Sequence, residues 1–375
     1  MDALALYIHI PFCIKRCAYC DFNSYTELEY VPSYLDSLKR EISFYSNIER
    51  RISSIYIGGG TPTVLNEKEL SSLLEAIRGA FNVSTELEFT VEANPETVTR
   101  EKLEVLREGG VNRLSLGLQS FNDELLKAIG RIHNAEGFLK KFFMAREAGF
   151  NNINVDLIFG LPRQRVEDFL NSLRKLLDLS PEHVSCYSLS VEEGTKFYEL
   201  KEKGLLFLPS EDEERIMYHS ATRILEDGGY SHYEISNFAK PGRECKHNLV
   251  YWTYGEYLGL GAGAHSFMDG VRFYNAYGLK DYIEKVKAKG EAVESRERIS
   301  EPEQQAEFVI LGLRLIKGVD KAKFYERFKK DIDLVYGEVL EKLEKKGLIV
   351  NGKEYVKLTK KGLDLANEVF VEFLP

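Results

Sequence analysis

No stretch of this sequence is long and apolar enough to be read as a transmembrane helix. The opening residues, MDALALYIHIPF, have neither a basic leader nor a small-residue cleavage site, so they are read as an early β-strand rather than a secretory signal. Positive charge is not in excess. A formal net charge of -9 removes any general attraction to nucleic acid or anionic membranes, leaving only a local basic patch open. Cysteine is scarce and odd in number, at five, which is wrong for a disulfide scaffold. Three of the five crowd into positions 13–20, which suits a metal site in a reducing compartment and makes the cytoplasm the expected location. Internal repeats and low-complexity segments are also missing. With 375 residues, 44% of them hydrophobic, the chain can bury a sizeable core without cross-links, as one large domain and a smaller one.

What is present is an alternation. Aliphatic and β-branched runs at 5–10, 54–58, 86–93, 113–119, 152–159 and 183–190 predict strands. Helical patterns are expected at 31–46, 67–81, 100–108, 123–149 and 166–177, with another at 211–226. Asn66 with Glu69, and Ser210 with Glu213, have the spacing of an N-cap and its N3 carboxylate, while Gly79, Gly109, Gly110 and Gly149 mark expected helix ends. Six βα alternations predict a parallel sheet with helical crossovers, open or closed into a barrel, and ligands then gather at the carboxyl ends of the strands. The polar and glycine-rich clusters at 9–20, 58–63, 92–95, 119–122 and 156–162 all follow strand ends, which favours one large site.

Residues 230–282 have weak periodicity and many Tyr, Asn and Gly, and are expected to be irregular structure over the rim. Beyond a charged stretch at 291–303, helices are expected at 304–316, 321–328 and 334–346. A hairpin at 348–358, turned at Asn351 and Gly352, and a last helix at 362–373 complete a winged-helix-like pattern. The expected division is a core at 1–228, an irregular segment at 229–295 and a carboxy-terminal domain at 296–375.

Cys13, Cys17 and Cys20 follow the pattern C-x3-C-x2-C. Three thiolates on one loop can ligate three irons of a cubane and leave the fourth open. A structural zinc site wants four ligands, and His9 could supply a fourth, so zinc stays open on counting alone. Cys186 and Cys245 are remote and read as buried small residues.

The segment YIHIPFCIKRCAYCDFNSY, with GGGTPT at 58–63, resembles the radical S-adenosylmethionine superfamily, and within it the oxygen-independent coproporphyrinogen III oxidase family. The resemblance implies an incomplete (β/α)6 TIM-like α/β barrel with a small winged-helix-like α+β domain. It also implies a [4Fe-4S] cluster on the three cysteines and S-adenosyl-L-methionine on the open iron. Electron transfer from the cluster would cleave the sulfonium to a 5'-deoxyadenosyl radical. Tyr7, Gly59, Gly60 and Glu92 match contacts to that S-adenosylmethionine, and Tyr19 matches a residue set against adenine. Thr61, Gln119, Arg131 and Asp156 match positions that contact a second S-adenosylmethionine in the oxidases. Glu92 and Asp156, each taken alone, would read as structural carboxylates, and Arg131 as a solvated helix-flank arginine.

Two departures separate the sequence from the oxidases: Phe22 stands where they carry a further cysteine, and their long amino-terminal extension does not precede Tyr7. HNLVYW at 247–252 is similar to the HNxxYW signature of the family's heme-chaperone branch. This resemblance implies heme as a ligand, with His247, Asn248, Tyr251, Trp252 and His265 as candidates. Imidazole can ligate heme iron and aromatics can pack on a porphyrin. His247 as an ordinary hydrogen-bonded loop histidine, and His265 as part of a glycine-flanked turn beside the nucleotide, are the competing readings.

The implied partners are a heme-acceptor protein, a reductant such as flavodoxin or ferredoxin, and a second copy in a homodimer. Lys342, Lys345, Lys346, Lys353 and Lys357 alternate with Glu341, Glu344 and Glu354, which reads as a solvated face, so nucleic-acid binding is not expected. The scaffold is expected to be capable of cleaving S-adenosylmethionine, with heme handling as its task and coproporphyrinogen decarboxylation, or another tetrapyrrole reaction, as the enzymatic alternative. A structural metal or electron-transfer protein is the remaining class.

Overall fold

Apolar and polar residues alternate with a period of two along six strands, and that period decides which face of the sheet is buried. The computed structural model describes residues 4–375; residues 1–3 of the expected early strand lie outside that range. The strands are β1 (Leu4–Ile10), β2 (Ile52–Gly59), β3 (Val83–Ala93), β4 (Arg113–Gln119), β5 (Ile153–Phe159) and β6 (His183–Ser188). All six are parallel neighbours in chain order. Leu114, Leu116 and Leu118 of β4, and Ile153, Val155 and Leu157 of β5, are fully buried in the main core. Each such leucine contributes about 2 kcal/mol of burial free energy. The alternate residues Arg113, Ser115, Gly117 and Gln119 line a cavity together with Asn154 and Asp156. The sheet is therefore oily outside, under its helices, and polar inside.

Those helices are α1 (Val31–Phe44), α2 (Glu67–Ala80), α3 (Arg100–Glu108), α4 (Asp123–Ala128), α5 (Ala135–Glu147), α6 (Val166–Leu179), α7 (Lys196–Glu202) and α8 (Glu211–Asp227). The Asn66–Glu69 and Ser210–Glu213 capping boxes both form. Gly109 and Gly149 do follow helix ends, whereas α2 runs through Gly79 to Ala80. The expected continuous helix at 123–149 is corrected to two, α4 and α5. Gly130 adopts φ +86 between them, and the Ile129 carbonyl accepts from the Ala18 N–H of the cysteine loop at 3.0 Å. Gly130 and the Asn134 N-cap, whose side chain accepts from Gly137 N–H, separate the two helices, and the cysteine loop docks at the gap.

The segment expected to be irregular is also corrected. It contains β7 (Ser231–Glu234), β8 (Asn237–Ala239), α9 (Lys246–Trp252), β9 (Tyr257–Leu260), β10 (His265–Met268), β11 (Val271–Asn275), α10 (Leu279–Lys289) and β12 (Val293–Arg298). These strands extend both edges of one sheet, ordered β12-β11-β10-β9-β1-β2-β3-β4-β5-β6-β8-β7. Short strands of three to five residues separated by glycine turns carry too little periodicity to be read locally. The charged β12 is an exposed edge, where alternating Glu and Arg oppose pairing with another chain.

The remaining elements are α11 (Glu301–Gly312), β13 (Val319–Asp320), α12 (Lys321–Phe328), α13 (Ile332–Lys345), β14 (Ile349–Asn351), β15 (Tyr355–Leu358), α14 (Lys360–Asp364) and α15 (Ala366–Val371). Their order, with a three-stranded sheet β13-β15-β14, is that of a winged helix, and they enclose a second core around Phe308, Phe324 and Val356. The last helix, expected at 362–373, is split at Leu365. Among the described residues, no helix is long and apolar enough to cross a membrane.

Candidate functional site

The carboxyl ends of β1 to β6 surround a cavity of about 340 Å³. Cys13, Cys17, Tyr19, Cys20, Gly59, Gly60, Glu92, Gln119, Arg131 and Asp156 all line it. All five cysteines are unbridged. Burial pushes the Cys13 and Cys20 thiols up, the latter to about 11, so a bound cation is needed to keep them as thiolates. Among the described residues, no three His, Cys, Asp or Glu side chains converge on a single-ion site. A cubane asks for something else, since each thiolate serves a different iron.

His9 is no fourth ligand. Its Nε2 donates to the Asn23 carbonyl at 2.9 Å, which leaves Nδ1 to accept from the Tyr7 hydroxyl at 2.9 Å. Burial lowers its pKa to about 4, so the ring is neutral and both nitrogens are committed. The ring packs on Gly59, where a Cβ would lie 2.2 Å from His9 Cε1 and φ is +106. Gly60 makes a similar close approach, to the Phe12 backbone. A Cβ there would stand 2.7 Å from the Phe12 carbonyl oxygen.

The backbone N–H groups at 59–61 are already engaged within the protein. Gly59 N–H donates to Glu92 Oε2 at 3.1 Å, Gly60 N–H to the Ile10 carbonyl and Thr61 N–H to the Phe12 carbonyl. These donors tie the run to the cysteine loop. Acceptors remain, above all Glu92, whose Oε1 also takes the Tyr56 hydroxyl at 2.8 Å. Burial, with Asp156 adding repulsion, raises Glu92 to about 7. A buried carboxyl poised in this way suits an incoming ammonium group.

On the opposite wall Arg131 is not the solvated arginine of the local reading. It sits in the turn between α4 and α5. One terminal nitrogen donates to Asn94 Oδ1 at 2.9 Å and to the Gly117 carbonyl at 2.7 Å, and the other lies 3.7 Å from Cys17 Sγ. Among the described residues, its buried Nε has no hydrogen-bond partner. Burial alone would lower its pKa, but Tyr19, Cys17 and Glu96 outweigh this and hold the guanidinium charged. Thr61, almost fully buried, accepts from Asn94 Nδ2 at 2.7 Å and lies 3.4 Å from Cys13 Sγ. Gln119 ends β4 at φ +71, a left-handed conformation that is strained outside glycine and recurs at functional sites.

Asp156 accepts from Asn154 Nδ2 at 2.8 Å and from Ser115 Oγ at 3.3 Å. Asn154 Oδ1 in turn accepts from His183 Nδ1 at 2.7 Å. Burial raises Asp156 despite these donors, and buried Arg113 stands nearby as the counter-charge. Arg113, Asn94, Asn154, His183 and Tyr56 were not singled out from sequence. For Arg113, Asn94, Asn154 and Tyr56 the signal that could have found them is the period of two, since each is in register with motif residues on its own strand or strand end; β6 carries no such motif to point to His183.

The HNLVYW segment proves to be α9, which packs inside the sheet. Glu88 of β3 accepts the backbone N–H groups of Lys246 and His247, each at 3.1 Å. His247 is 1% exposed, with Nδ1 3.0 Å from Ser54 Oγ and Nε2 2.9 Å from the Tyr251 hydroxyl. Burial lowers its pKa to about 3. Both nitrogens are occupied, so this ring cannot reach heme iron without undoing the packing. Trp252 lies against Arg314, 4.3 Å from its guanidinium, and only Asn248 of this helix lines the cysteine cavity. Tyr251 and His265 line a second cavity of about 440 Å³, which shares Asp21, Phe22, Gly59 and Glu92 with the first.

A model of the radical SAM superfamily matches residues 7–176, and one of the HemN C-terminal domain matches residues 299–365. The chain is 44% identical over 372 residues to a protein of Bacillus subtilis (strain 168) named heme chaperone HemW, covering 98% of each. The chain belongs to the HemW family. A HemW of Escherichia coli (strain K12) is 34% identical over 335 residues, 86% of each chain. The solved coproporphyrinogen III oxidase (HemN) of Escherichia coli, a radical SAM enzyme, matches with a TM-score of 0.86 at 27% identity. That match covers 99% of this chain and 90% of the other. HemW and HemN chains thus share one radical SAM scaffold.

The donor set fits the groups that the superfamily's name implies. Three thiols and the Glu92 carboxyl border the cavity, and among the described residues the buried Arg131 Nε beside them has no hydrogen-bond partner. When bound, such a cluster supplies an electron to the sulfonium of S-adenosylmethionine. Glu92 would be the residue to receive an ammonium group there, and Arg131 would keep the opposite part of the lining charged.

Proposed function

We propose that this protein binds heme and passes it to an acceptor protein, on a scaffold that carries a [4Fe-4S] cluster on Cys13, Cys17 and Cys20. The likeness to a heme chaperone along 98% of both chains carries this reading. Tyr7, Gly59, Gly60 and Glu92 hold S-adenosylmethionine, with Tyr19 beside its adenine. Thr61, Gln119, Arg131 and Asp156 form the far wall, where a second S-adenosylmethionine would sit. A cytoplasmic setting and a flavodoxin- or ferredoxin-like reductant belong to the same proposal. Phe22, 59% exposed at the junction of the two cavities, offers a porphyrin an aromatic surface and supplies no thiol.

The enzymatic reading, coproporphyrinogen III decarboxylation, draws on the shared HemN scaffold. One experiment separates the two. Reduced, reconstituted protein is given S-adenosylmethionine and coproporphyrinogen III, and in parallel is titrated with hemin. Saturable heme binding without protoporphyrinogen is the expected result. Protoporphyrinogen accumulating over many turnovers would overturn the proposal.

A further inference from the structure

Thr61 and Arg131 each reach a cysteine sulfur, and one residue, Asn94, holds both of them. Asn94 follows β3, and its carbonyl accepts from the Thr97 N–H and the Thr97 hydroxyl, each at 3.0 Å. The hydroxyls of Thr63 and Thr97 lie 2.6 Å apart, which ties this turn to the one after β2. Lys102 Nζ donates to the carbonyls of the same two residues, at 2.7 Å and 3.3 Å. The backbone is thus pinned on both sides. The Asn94 side chain caps no helix and lines the cysteine cavity instead.

An arginine can only donate, so the 2.9 Å contact with Arg131 sets Oδ1 of Asn94 on that side and turns Nδ2 the other way. There Nδ2 donates to Thr61 Oγ1 at 2.7 Å. The Thr61 hydrogen is left for Cys13 Sγ, 3.4 Å away. A metal-bound Cys13 is a thiolate with no proton to give, so Thr61 is the donor of that pair. On the other side, the second terminal nitrogen of Arg131 lies 3.7 Å from Cys17 Sγ. Gly117 makes the room for this arrangement: a Cβ there would lie 2.4 Å from Arg131 Nη2 and 3.0 Å from Asn94 Oδ1.

Hydrogen bonds to the sulfurs and nearby charge are among the factors that set the potential of an iron–sulfur cluster. A reduced cluster carries one more negative charge than the oxidised one, so each donor stabilises the reduced form more. We propose that Asn94 is a positioning residue for the cluster: through Thr61 and Arg131 it aims one donor at Cys13 and one at Cys17, and so raises the potential at which the cluster takes up its electron. This rests on the assignment of the cluster to the three cysteines above. It goes beyond that assignment in giving Asn94, Thr61, Arg131 and Gly117 a joint task that requires no second S-adenosylmethionine.

The test is an EPR-monitored redox titration of the reconstituted full chain, poised with dithionite and mediators. The cluster gains one electron from dithionite, and no bond forms or breaks. S-adenosylmethionine is left out, so that contacts of Thr61 or Arg131 with that ligand do not enter the reading. Thr61→Val keeps the side-chain shape without the hydroxyl and should retain full iron content. Its ratio of reduced to oxidised cluster at a fixed potential should fall about tenfold, a shift of about 59 mV for a one-electron couple. Asn94→Ala releases both donors and should shift the midpoint the same way, at least as far. Thr61→Ser should return to the wild-type midpoint. Variants that lose iron but leave the midpoint of the remaining cluster unmoved would show a merely structural role and overturn the proposal. A Thr61→Val titration that superimposes on the wild type overturns it too, while leaving the cluster in place. A wild-type chain that incorporates no four-iron cluster overturns the cluster assignment itself, and the proposal with it.

Discussion

Replacing Glu92 by Gln should flatten part of the pH dependence of this protein's stability. In the folded chain burial raises the Glu92 carboxyl from 4.5 to about 7. A folded-state pKa above the unfolded one means that the native state holds its proton longer. Its contribution is therefore fully present below the unfolded value and is lost as pH rises toward 7. At ~1.36 kcal/mol per pKa unit, Glu92 alone destabilises the cluster-free protein by about 2 kcal/mol between about pH 5.5 and about pH 8. Glutamine keeps the geometry: its carbonyl can accept from Gly59 N–H, and its amide can donate to Tyr56, whose hydroxyl reverses. Denaturant unfolding of wild type and Glu92→Gln across that range is the assay. The curves should converge at low pH, with the variant gaining relative stability as pH rises. Parallel curves would refute the reasoning, because they would mean that Glu92 ionises as it does in water. Glu41 carries a similar slope: burial raises it to about 7 despite donors from Gly261, Asn275 and Tyr282. The wild-type slope therefore exceeds the Glu92 share.

Three further outcomes follow from the same geometry. Cys17→Ala should lose cluster iron on anaerobic reconstitution, measured by iron content and EPR, and full retention would remove Cys17 from the ligand set. Gly60→Ala should also lower iron content while circular dichroism holds, because its Cβ must push the Phe12 backbone away and displace the cysteine loop. Arg314→Ala leaves Glu234, 0% exposed, without its cation at 3.7 Å and should destabilise the chain by about 3 kcal/mol. It should also shift the emission of Trp252, the sole tryptophan, from which the stacked guanidinium is lost.

The cysteine triplet, the glycine run and the strand-end carboxylates were legible in sequence because each is a short motif fixed by local spacing. The strands were legible too, since one face of each meets a helical layer. Arg131 was not. Its burial depends on Cys17, Asn94 and Gly117, brought to it from remote parts of the chain, in a break between helices that Gly130 and Asn134 mark but that a reading by periodicity passes over. The packing of His247 was not legible for a related reason. A seven-residue helix has little stability of its own; α9 is held by Glu88 of β3 and Ser54 of β2, residues remote from it in sequence. The HNLVYW signature does not say by itself that its histidine is buried with both ring nitrogens hydrogen-bonded, which the fold shows. His265, flanked by glycines, was readable as a turn. What it faces depends on β9 and β10 joining the sheet beside β1, a pairing across some 250 residues of chain.

The central claim is that this radical SAM scaffold carries heme. The most direct measurement is an equilibrium titration of the reconstituted, reduced chain with hemin, followed by exposure of the loaded protein to an apo-hemoprotein. The account predicts a saturating Soret shift at one heme per chain and departure of that heme to the acceptor. Absence of saturable binding, or heme that stays when the acceptor is added, would contradict it.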